Sequence, residues 1–456
     1  MDKVLFYYPK INDDNDTDSS ILYQGLPLSV LTLVAQMDSN KYQIKVVDGR
    51  IEEHPYKKCI EWIGEDTICV AISAMTSYQI KDGLGLAEQI RKQYPFIKLI
   101  WGGWHPSLMP VSTVQNKFVD IVAIGQGEET VPMLVEALHS GSDLKKIPNL
   151  FYEDEHHNII QTNKKDLKYN STKSIKYGFN YINVEKYIQP LWGHKRVVGY
   201  ESSRGCIFQC TFCSIGSIYN RHWDCLSAKR VVEDINYLYD QYEVDAIHFF
   251  DNNFFVDEKR VKEIADGFIQ RKISVHWDGT SVVNQFLNFE DSYIQNLKKS
   301  GFYRVIIGVE SGNEEVLKKI GKPYKKEHIV KLVEKCKRHN IQASLSFMVG
   351  FPWNPEQDFL DTIALIEEIR TIYAKTEIML FIFSPYLGTK LYKEALDYGL
   401  KRTENLEDWA DFTYGKINTP WISKHLRHKI DRYIRFFGTK EMSLEMKEYL
   451  QRGKCV

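Results

Sequence analysis

The sequence lacks several features that would place the protein in other classes. No apolar run approaches the ~20 residues that a membrane-spanning helix needs. The first residues, with acidic Asp2 and a short apolar run, do not have the layout of a secretion signal. The formal net charge is only −1, so no basic excess indicates general binding to nucleic acid, although a specific RNA substrate is left open. We therefore expect a cytoplasmic protein without a membrane partner.

The composition is that of a globular protein. The chain has 456 residues, of which 43% are hydrophobic and 26% charged, enough for two or three domains. Eight cysteines are present, but disulfides are not expected in a protein without a secretion signal. Five of the eight are scattered, so interest falls on the clustered ones: Cys206, Cys210 and Cys213.

The order of apolar and amphipathic segments predicts an α/β protein with four parts. Residues 1–140 alternate strand and helix patterns, which predicts a doubly wound, Rossmann-like domain with its ligand at the carboxyl ends of the strands. Residues 141–190 are interpreted as a bridging segment, and residues 396–456 as a helical C-terminal region with several aromatic side chains. Residues 191–395 repeat β-then-α units, typical of a full or partial (β/α) TIM-type barrel with its active site at the same strand ends. Its strands are predicted at 197–202, 245–250, 273–277, 304–309, 342–348 and 377–383, and its helices at 228–241, 258–271, 290–299, 326–339 and 355–372.

The three clustered cysteines have the spacing C-x3-C-x2-C and follow the first predicted barrel strand. A structural zinc site normally has four protein ligands, and His222 and Cys225 are the nearest candidates for a fourth. A four-iron cluster also has four corners, each normally held by a thiolate. Three cysteines therefore leave one iron open for another ligand, which fits a loop at the catalytic face of a barrel better than a zinc loop does.

This motif, with Phe212 before its last cysteine, resembles the radical S-adenosylmethionine (SAM) superfamily. The resemblance implies a 4Fe-4S cluster held by Cys206, Cys210 and Cys213, with the open iron chelated by the amino and carboxylate groups of SAM. It also implies SAM contacts from Phe212 and from residues at later strand ends, namely Asp251, Asn252, Glu310, Ser311 and Gly350. The competing interpretation is that the acidic and amide residues cap helices and that Gly350 only turns the chain.

The first domain carries glycine-rich segments just after its predicted strands, where a bulky ligand can approach the backbone. No G-x-G-x-x-G is followed by an acidic residue on the next strand, so a nicotinamide site is poorly supported. The domain resembles the cobalamin-binding domain of cobalamin-dependent radical SAM enzymes. That resemblance implies cobalamin contacts from Gln24, Leu26, Ser73, Thr76, Gly102, Gly103, Trp104, His105, Gly125, Gly127 and Glu128.

The chain departs from cobalamin mutases, because it has no D-x-H-x-x-G motif to supply a histidine to cobalt. His105 lies in G-G-W-H-P instead, so the resemblance implies a detached dimethylbenzimidazole base with no histidine in its place. The alternative is a degenerate domain that no longer binds cobalamin.

The resemblance implies a methyltransferase that acts on an unactivated carbon of a small molecule. One SAM would methylate cob(I)alamin, and a second would give the 5'-deoxyadenosyl radical that prepares the substrate to accept the methyl group of methylcobalamin.

Two alternatives stay open: non-methylating cobalamin chemistry such as ring contraction, cyclisation or redox rearrangement, and a cobalamin-binding sensor with a structural metal. An electron donor such as flavodoxin or ferredoxin is the expected protein partner. Neither the substrate nor the oligomeric state follows from the sequence.

Overall fold

The computed structural model describes residues 1–12, 25–166, 168–412 and 419–438. The chain divides into two compact units. The first comprises residues 1–206, 215–250 and 402–417, and the second comprises residues 207–214, 251–401 and 418–456. Over the described ranges, every helix is too short or too polar to cross a lipid bilayer.

A seven-stranded sheet forms the centre of the first unit. Its strands are β1 Asp2–Tyr8, β2 Tyr42–Asp48, β3 Thr67–Ser73, β4 Lys98–Gly102, β5 Ile121–Ala123, β6 Leu150–Glu153 and β7 Ile159–Gln161. The order across the sheet is β2-β1-β3-β4-β5-β6-β7. Strands β1 to β5 pair in parallel, whereas β6 and β7 add an antiparallel hairpin at one edge.

Helices connect the parallel strands. They are α1 Leu28–Gln36, α2 Pro55–Trp62, α3 Tyr78–Gln93, α4 Trp104–Leu108, α5 Pro110–Val114 and α6 Thr130–Ser140. Local chemistry sets their ends: the Ser77 side chain accepts a hydrogen bond from the Gln79 amide at the start of α3, and left-handed Gly141 ends α6. Apolar faces of α1 and α6 pack with the strands in a buried core that includes Val4, Phe6 and Leu134.

The first unit also contains β8 Gln189–Leu191, β9 His194–Tyr200, β10 Ser203–Gly205, β11 Trp223–Cys225 and β12 Ala246–Phe249, with helices α7 Ile215–Ile218 and α8 Ala228–Tyr242. Strand β9 pairs in parallel with β12 and antiparallel with β8, and β10 pairs antiparallel with β11.

The second unit has a parallel ladder of β13 His276–Ser281, β14 Phe302–Glu310, β15 Gln342–Val349 and β16 Glu377–Ile382. Its helices are α9 Glu258–Gln270, α10 Val283–Asn288, α11 Asp291–Lys299, α12 Glu314–Lys319, α13 Lys326–His339, α14 Pro355–Ile372, α15 Lys390–Asp397 and α16 Lys424–Gly438. Strand and helix alternate along the sequence, as in a half-barrel.

The predicted fold class is confirmed: an α/β protein with a doubly wound parallel sheet, followed by the strands and helices of a partial barrel. One predicted strand was misplaced, because 273–277 was expected and β13 spans His276–Ser281. The Asp278-Gly279 pair there resembles a turn in the sequence. In the structure Asp278 is buried and accepts a hydrogen bond from the Arg304 guanidinium at 2.6 Å, which lets an acidic residue lie inside a strand.

Candidate functional site

An open pocket with a cavity volume of about 160 Å³ lies at the carboxyl ends of the parallel strands in the first unit. Strands β3, β4 and β5 end at its wall, which is where a doubly wound sheet binds its ligand. The wall includes seven residues of the predicted cobalamin set: Ser73, Gly102, Gly103, Trp104, Gly125, Gly127 and Glu128. The structure thus gathers residues that are spread over more than fifty positions of the sequence into one cavity.

Two glycines in this wall have backbone conformations that other residues adopt at a cost. Gly103 has φ +94°, and a Cβ there would lie 2.9 Å from the Ala74 carbonyl oxygen. Gly125 has φ +69°, and a Cβ there would have no other atom within 4 Å. The backbone at Gly125 is therefore open, so a ligand could approach it closely.

A buried charge cluster lies in the wall of the same pocket. The Arg204 guanidinium donates hydrogen bonds to the carboxylates of Glu128 at 2.5 Å and Glu201 at 2.7 Å, and it stacks over the Tyr169 ring at 4.2 Å. Burial alone would lower the pKa of Arg204, but the carboxylates of Glu128 and then Glu201 raise it, so the guanidinium stays charged. The second oxygen of Glu128, Oε2, is buried and has no hydrogen-bond partner among the described residues.

His105 takes no part in the pocket wall. It is completely buried, its Nδ1 lies 3.0 Å from the Thr76 hydroxyl, and its ring packs against Trp409 with the ring centroids 5.8 Å apart. Burial lowers the pKa of the imidazole to about 4, so the ring is neutral at pH 7. His105 and Thr76 therefore contact each other beside the loop after β4, and neither lines the cavity.

Two residues of the predicted cobalamin set remain, Leu26 and Gln24. Leu26 is buried just before α1 and is outside the pocket wall, and Gln24 lies outside the described residues. Sequence reasoning missed Arg204 and Glu201, which line the pocket. The available signal was the E-S-S-R run directly before the cysteine motif, since two charged residues between buried strand residues need partners.

The cysteine motif begins after β10. Gly205 has φ +83°, and a Cβ there would overlap with the backbone carbonyl of His222. Cys225, one candidate for a fourth ligand, lies in β11 and pairs with Ser203 in the β10–β11 ladder. Cys206, Cys210 and Cys213 are all partly buried. Within the described part of the chain, no set of three or more His, Cys, Asp or Glu side chains has the geometry of a metal site.

In the second unit, the loop that carries Cys210 and Cys213 is held by backbone contacts. The Thr211 amide donates to the Ile320 carbonyl at 3.1 Å, and the Thr211 carbonyl accepts from the Leu391 amide at 3.2 Å. Position 321 is a glycine with φ +80°, and a Cβ there would lie 3.3 Å from the Gln209 carbonyl oxygen. The turn after α12 therefore packs directly on the cysteine loop.

Glu310 ends β14 in a left-handed conformation with φ +75°, after a register shift between Gly308 and Glu310. Its carboxylate lies over Gly308, where any Cβ would overlap with Oε1, and it forms an ion pair with Lys322 at 3.3 Å. Lys322 also donates to the Gly308 carbonyl at 3.1 Å, and the Tyr324 hydroxyl donates to the same carbonyl at 2.9 Å. This is a buried, charged strand end of the kind that can hold a polar ligand.

Two further predicted SAM residues meet at Asp358, in the first turn of α14. The Ser311 hydroxyl donates to Oδ1 of Asp358 at 2.6 Å, and the Gly350 amide donates to Oδ2 at 3.1 Å. The Gly350 carbonyl accepts a hydrogen bond from the Trp421 indole at 2.8 Å. Desolvation raises the pKa of Asp358 to about 7, against the opposing effect of its hydrogen bonds. Asp358 therefore joins the ends of β14 and β15, a role that the sequence did not indicate.

Asp251 and Asn252 follow β12 and begin the second unit. Asp251 is buried, and its backbone carbonyl accepts a hydrogen bond from the Thr280 hydroxyl at 2.6 Å. This bond ties the chain at Asp251 to β13. Phe212 is half-buried in the cysteine loop, with the Lys322 ammonium 5.9 Å from its ring centroid.

Comparisons with known proteins agree with this arrangement. Residues 200–366 match the model of the radical SAM superfamily. An uncharacterized methyltransferase, PH0819 of Pyrococcus horikoshii, is 28% identical over 391 residues, which cover 85% of this chain and 82% of the relative. The cysteine motif, Glu310 and Gly350 all lie inside the matched domain.

Two solved structures share the fold over most of the chain. The radical SAM methyltransferase TsrM from Kitasatospora setae, solved with cobalamin and a 4Fe-4S cluster, has a TM-score of 0.68 at 15% identity and covers 87% of this chain and 75% of its own. The cobalamin-dependent SAM radical enzyme OxsB has a TM-score of 0.74 at 13% identity, over 99% of this chain and 75% of its own. The resemblance predicted from the sequence is thus supported: residues 200–366 match the radical SAM model, and the fold over most of the chain is similar to that of these two cobalamin-dependent enzymes.

Proposed function

We propose that the protein is a cobalamin-dependent radical SAM methyltransferase that acts on an unactivated carbon of a small molecule. The observation that carries this proposal is the pocket at the strand ends of the first unit, which contains most of the residues expected for a corrinoid site in a chain with a radical SAM domain. The methyltransferase names of the relatives support the same reaction class.

The pocket wall fits a corrinoid chemically. Gly125 offers exposed backbone, and the apolar surface from Leu33, Ile100 and Val131 suits the face of a large ring. Glu128 leaves one buried carboxylate oxygen without a partner, and side-chain amides of a corrinoid could donate to it.

The type and spacing of the three clustered cysteines, together with the charged strand ends of the second unit, support a SAM-loaded iron–sulfur cluster. Cys206, Cys210 and Cys213 would supply soft thiolate ligands for three iron atoms, leaving one open. When bound, the cluster supplies the electron that cleaves SAM and cobalamin carries the methyl group. Glu310 presents a buried carboxylate that can accept hydrogen bonds from a ribose diol, while Ser311 and Gly350 are fixed by Asp358. Their task is to orient SAM and to exclude water.

The proposal is tested on anaerobically purified, reconstituted protein. We expect about four irons and four sulfides per chain, and the visible spectrum of a bound corrinoid after incubation with hydroxocobalamin. With SAM and a chemical reductant, 5'-deoxyadenosine should form. Methyl transfer additionally predicts S-adenosylhomocysteine, whereas ring contraction, cyclisation or redox chemistry would proceed without it.

Two variants separate the proposal from a structural zinc site. Cys210→Ala should lower the iron content and abolish 5'-deoxyadenosine formation, while Cys225→Ala should change neither, because Cys225 lies in the β10–β11 ladder. One zinc per chain that depends on Cys225, without iron, would overturn the proposal and support a structural metal. Corrinoid binding without SAM cleavage would support the sensor alternative.

Partners and compartment are part of the same proposal. A low-potential donor such as flavodoxin or ferredoxin would supply the electron, and a small organic molecule would be the substrate. The cytoplasm is the expected compartment, since a reducing environment keeps three clustered thiols available as ligands. The electron donor can be tested by replacing the chemical reductant with reduced flavodoxin in the same assay.

A further inference from the structure

The buried Lys322 ammonium, in the turn after α12, lies beside the cysteine loop. It lies 5.9 Å from the centroid of Phe212, the residue before Cys213. At the preceding residue, Gly321, a Cβ would lie 3.3 Å from the Gln209 carbonyl oxygen, so this turn packs on the cysteine loop. Lys322 is thus fixed beside the loop by backbone packing as well as by its own contacts.

Lys322 is one half of a buried ion pair. Its side chain is only 8% exposed, and its ammonium lies 3.3 Å from the carboxylate of Glu310. The ion pair with Glu310 and the hydrogen bond to the Gly308 carbonyl leave the ammonium little freedom to move away. A fixed cation at low local dielectric acts strongly on nearby charge.

We infer that Lys322 is a positioning residue that raises the reduction potential of the cluster and holds Glu310 in place to bind SAM. The inference rests on the proposed function, because it requires a cluster on Cys210. Adding an electron makes the cluster more negative, and a nearby fixed cation stabilises that form relative to the oxidised one. Lys322 also neutralises Glu310, which would otherwise place a buried carboxylate beside the negatively charged thiolates and destabilise the reduced cluster.

The test is a redox titration of the reconstituted cluster, followed by electron paramagnetic resonance, in the wild type and in Lys322→Met, Lys322→Arg and Lys318→Met. Lys318 is the matched control, since it is an exposed lysine at the end of α12 and its replacement removes the same formal charge. For Lys322→Met we expect at least a tenfold lower ratio of reduced to oxidised cluster at a given potential, a shift of about 59 mV for one electron. Lys322→Arg should shift the reduction potential much less, and Lys318→Met should have the reduction potential of the wild type.

A second readout is the affinity for SAM, measured by the spectral change of the reduced cluster on SAM addition. Lys322→Met should weaken it, because Glu310 loses the partner that fixes its carboxylate. The double variant Lys322→Met/Glu310→Gln removes both charges and keeps the inference testable if the single variant folds poorly. Its potential should lie between those of Lys322→Met and the wild type.

Equal potentials in Lys322→Met and Lys318→Met, both carrying four irons, would overturn the inference and leave the proposed function intact. A wild-type protein that takes up no cluster would instead overturn the proposed function. The two failures are therefore distinguishable in the same set of samples.

Discussion

Arg204 donates a 2.5 Å hydrogen bond to Glu128, and both side chains are less than 10% exposed. The two residues are 76 positions apart: Glu128 follows the glycine loop after β5, and Arg204 lies two residues before Cys206. One ion pair therefore links the loop that lines the candidate corrinoid pocket to the strand that leads into the cysteine motif. A structural change in one of these segments can therefore alter the other through this ion pair.

The first prediction concerns this pair. Arg204→Met should lower the free energy of unfolding by about 3–5 kcal/mol, because it leaves Glu128 buried and uncompensated. Cobalamin affinity should fall as well, since the pocket wall loses its fixed geometry. Urea unfolding and spectroscopic titration with hydroxocobalamin measure the two effects.

A control for this prediction is Arg196→Met, which breaks a half-exposed pair with Glu185 and should cost about 1 kcal/mol or less. The double variant Arg204→Met/Glu128→Gln should recover part of the lost stability. If the single variant Arg204→Met is as stable as Arg196→Met, the pair is not important for the fold.

The second prediction uses Gly125. Gly125→Ala should cost about 1–2 kcal/mol through its left-handed backbone, and it should also weaken cobalamin binding, because the new methyl group would occupy open space at the pocket wall. Gly141→Ala is a closely matched control: Gly141 has φ +67° and the same open surroundings, but it ends α6 outside the pocket wall. Equal losses of cobalamin affinity in the two variants would argue against a ligand at Gly125.

The third prediction concerns His105. Its pKa in the folded protein is about 4, below the ordinary 6.5, so folding favours the neutral ring. That contribution is fully present above pH 6.5 and is lost as the pH falls towards 4, on the order of 1 kcal/mol per pH unit. His105→Leu should therefore flatten the dependence of stability on pH in this window, as followed by urea unfolding at several pH values.

The spectrum of bound cobalamin should be the same in His105→Leu as in the wild type, since the ring faces Thr76 and Trp409 and not the pocket. A shifted corrinoid spectrum in His105→Leu would mean that the histidine reaches the cobalt.

The fourth prediction concerns Asp358. Burial raises its pKa to about 7, above the ordinary 3.8, so the protonated form is favoured in the folded state. The stabilisation is complete below pH 4 and is lost as the pH rises through 7. Asp358→Asn should remove this loss of stability at high pH. It should also weaken SAM binding, because the asparagine side chain has one acceptor oxygen, whereas the carboxylate accepts from the Ser311 hydroxyl and the Gly350 backbone N–H with two.

Thermal unfolding at pH 5 and pH 8 tests the stability part, and SAM titration of the reduced cluster tests the binding part. Asp361→Asn is the control for the binding part, because the half-exposed Asp361 carboxylate accepts hydrogen bonds from the side chains of Asn313 and Gln357. Its charge also raises the pKa of Asp358, so the stability part is compared with the wild type alone. The hypothesis fails if both variants change SAM affinity to the same extent.

Much of the fold followed from the sequence because periodicity reports burial directly. The predicted helices at 326–339 and 355–372 match α13 and α14, and the six predicted barrel strands all occur, with only β13 shifted. The shift of β13 has a physical cause that the periodicity of hydrophobic residues does not reveal. Asp278 lies inside the strand because it pairs with Arg304, and the partner of a buried charge is not visible in a local pattern.

The candidate site was predictable where a residue type is needed locally, and not where its partner is distant. Gly103 and Gly125 were predicted as site residues because they follow strands, and both have positive φ. Asp358 and Lys322 were missed, since each acts on a residue at least 8 positions away through a side-chain contact. Arg204 was missed for the same reason, although it lies next to the cysteine motif.

The carboxylate of Glu310 occupies the space where a side chain at position 308 would stand. The two positions therefore cannot vary independently: a side chain at 308 forces the acid at 310 out of its place, and a shorter residue at 310 leaves a gap above Gly308. A library that randomises position 308 should therefore recover few functional clones besides glycine, because any side chain there displaces the carboxylate that we assign to SAM. Any effort to redesign this strand end has to treat residues 308 and 310 as a single choice.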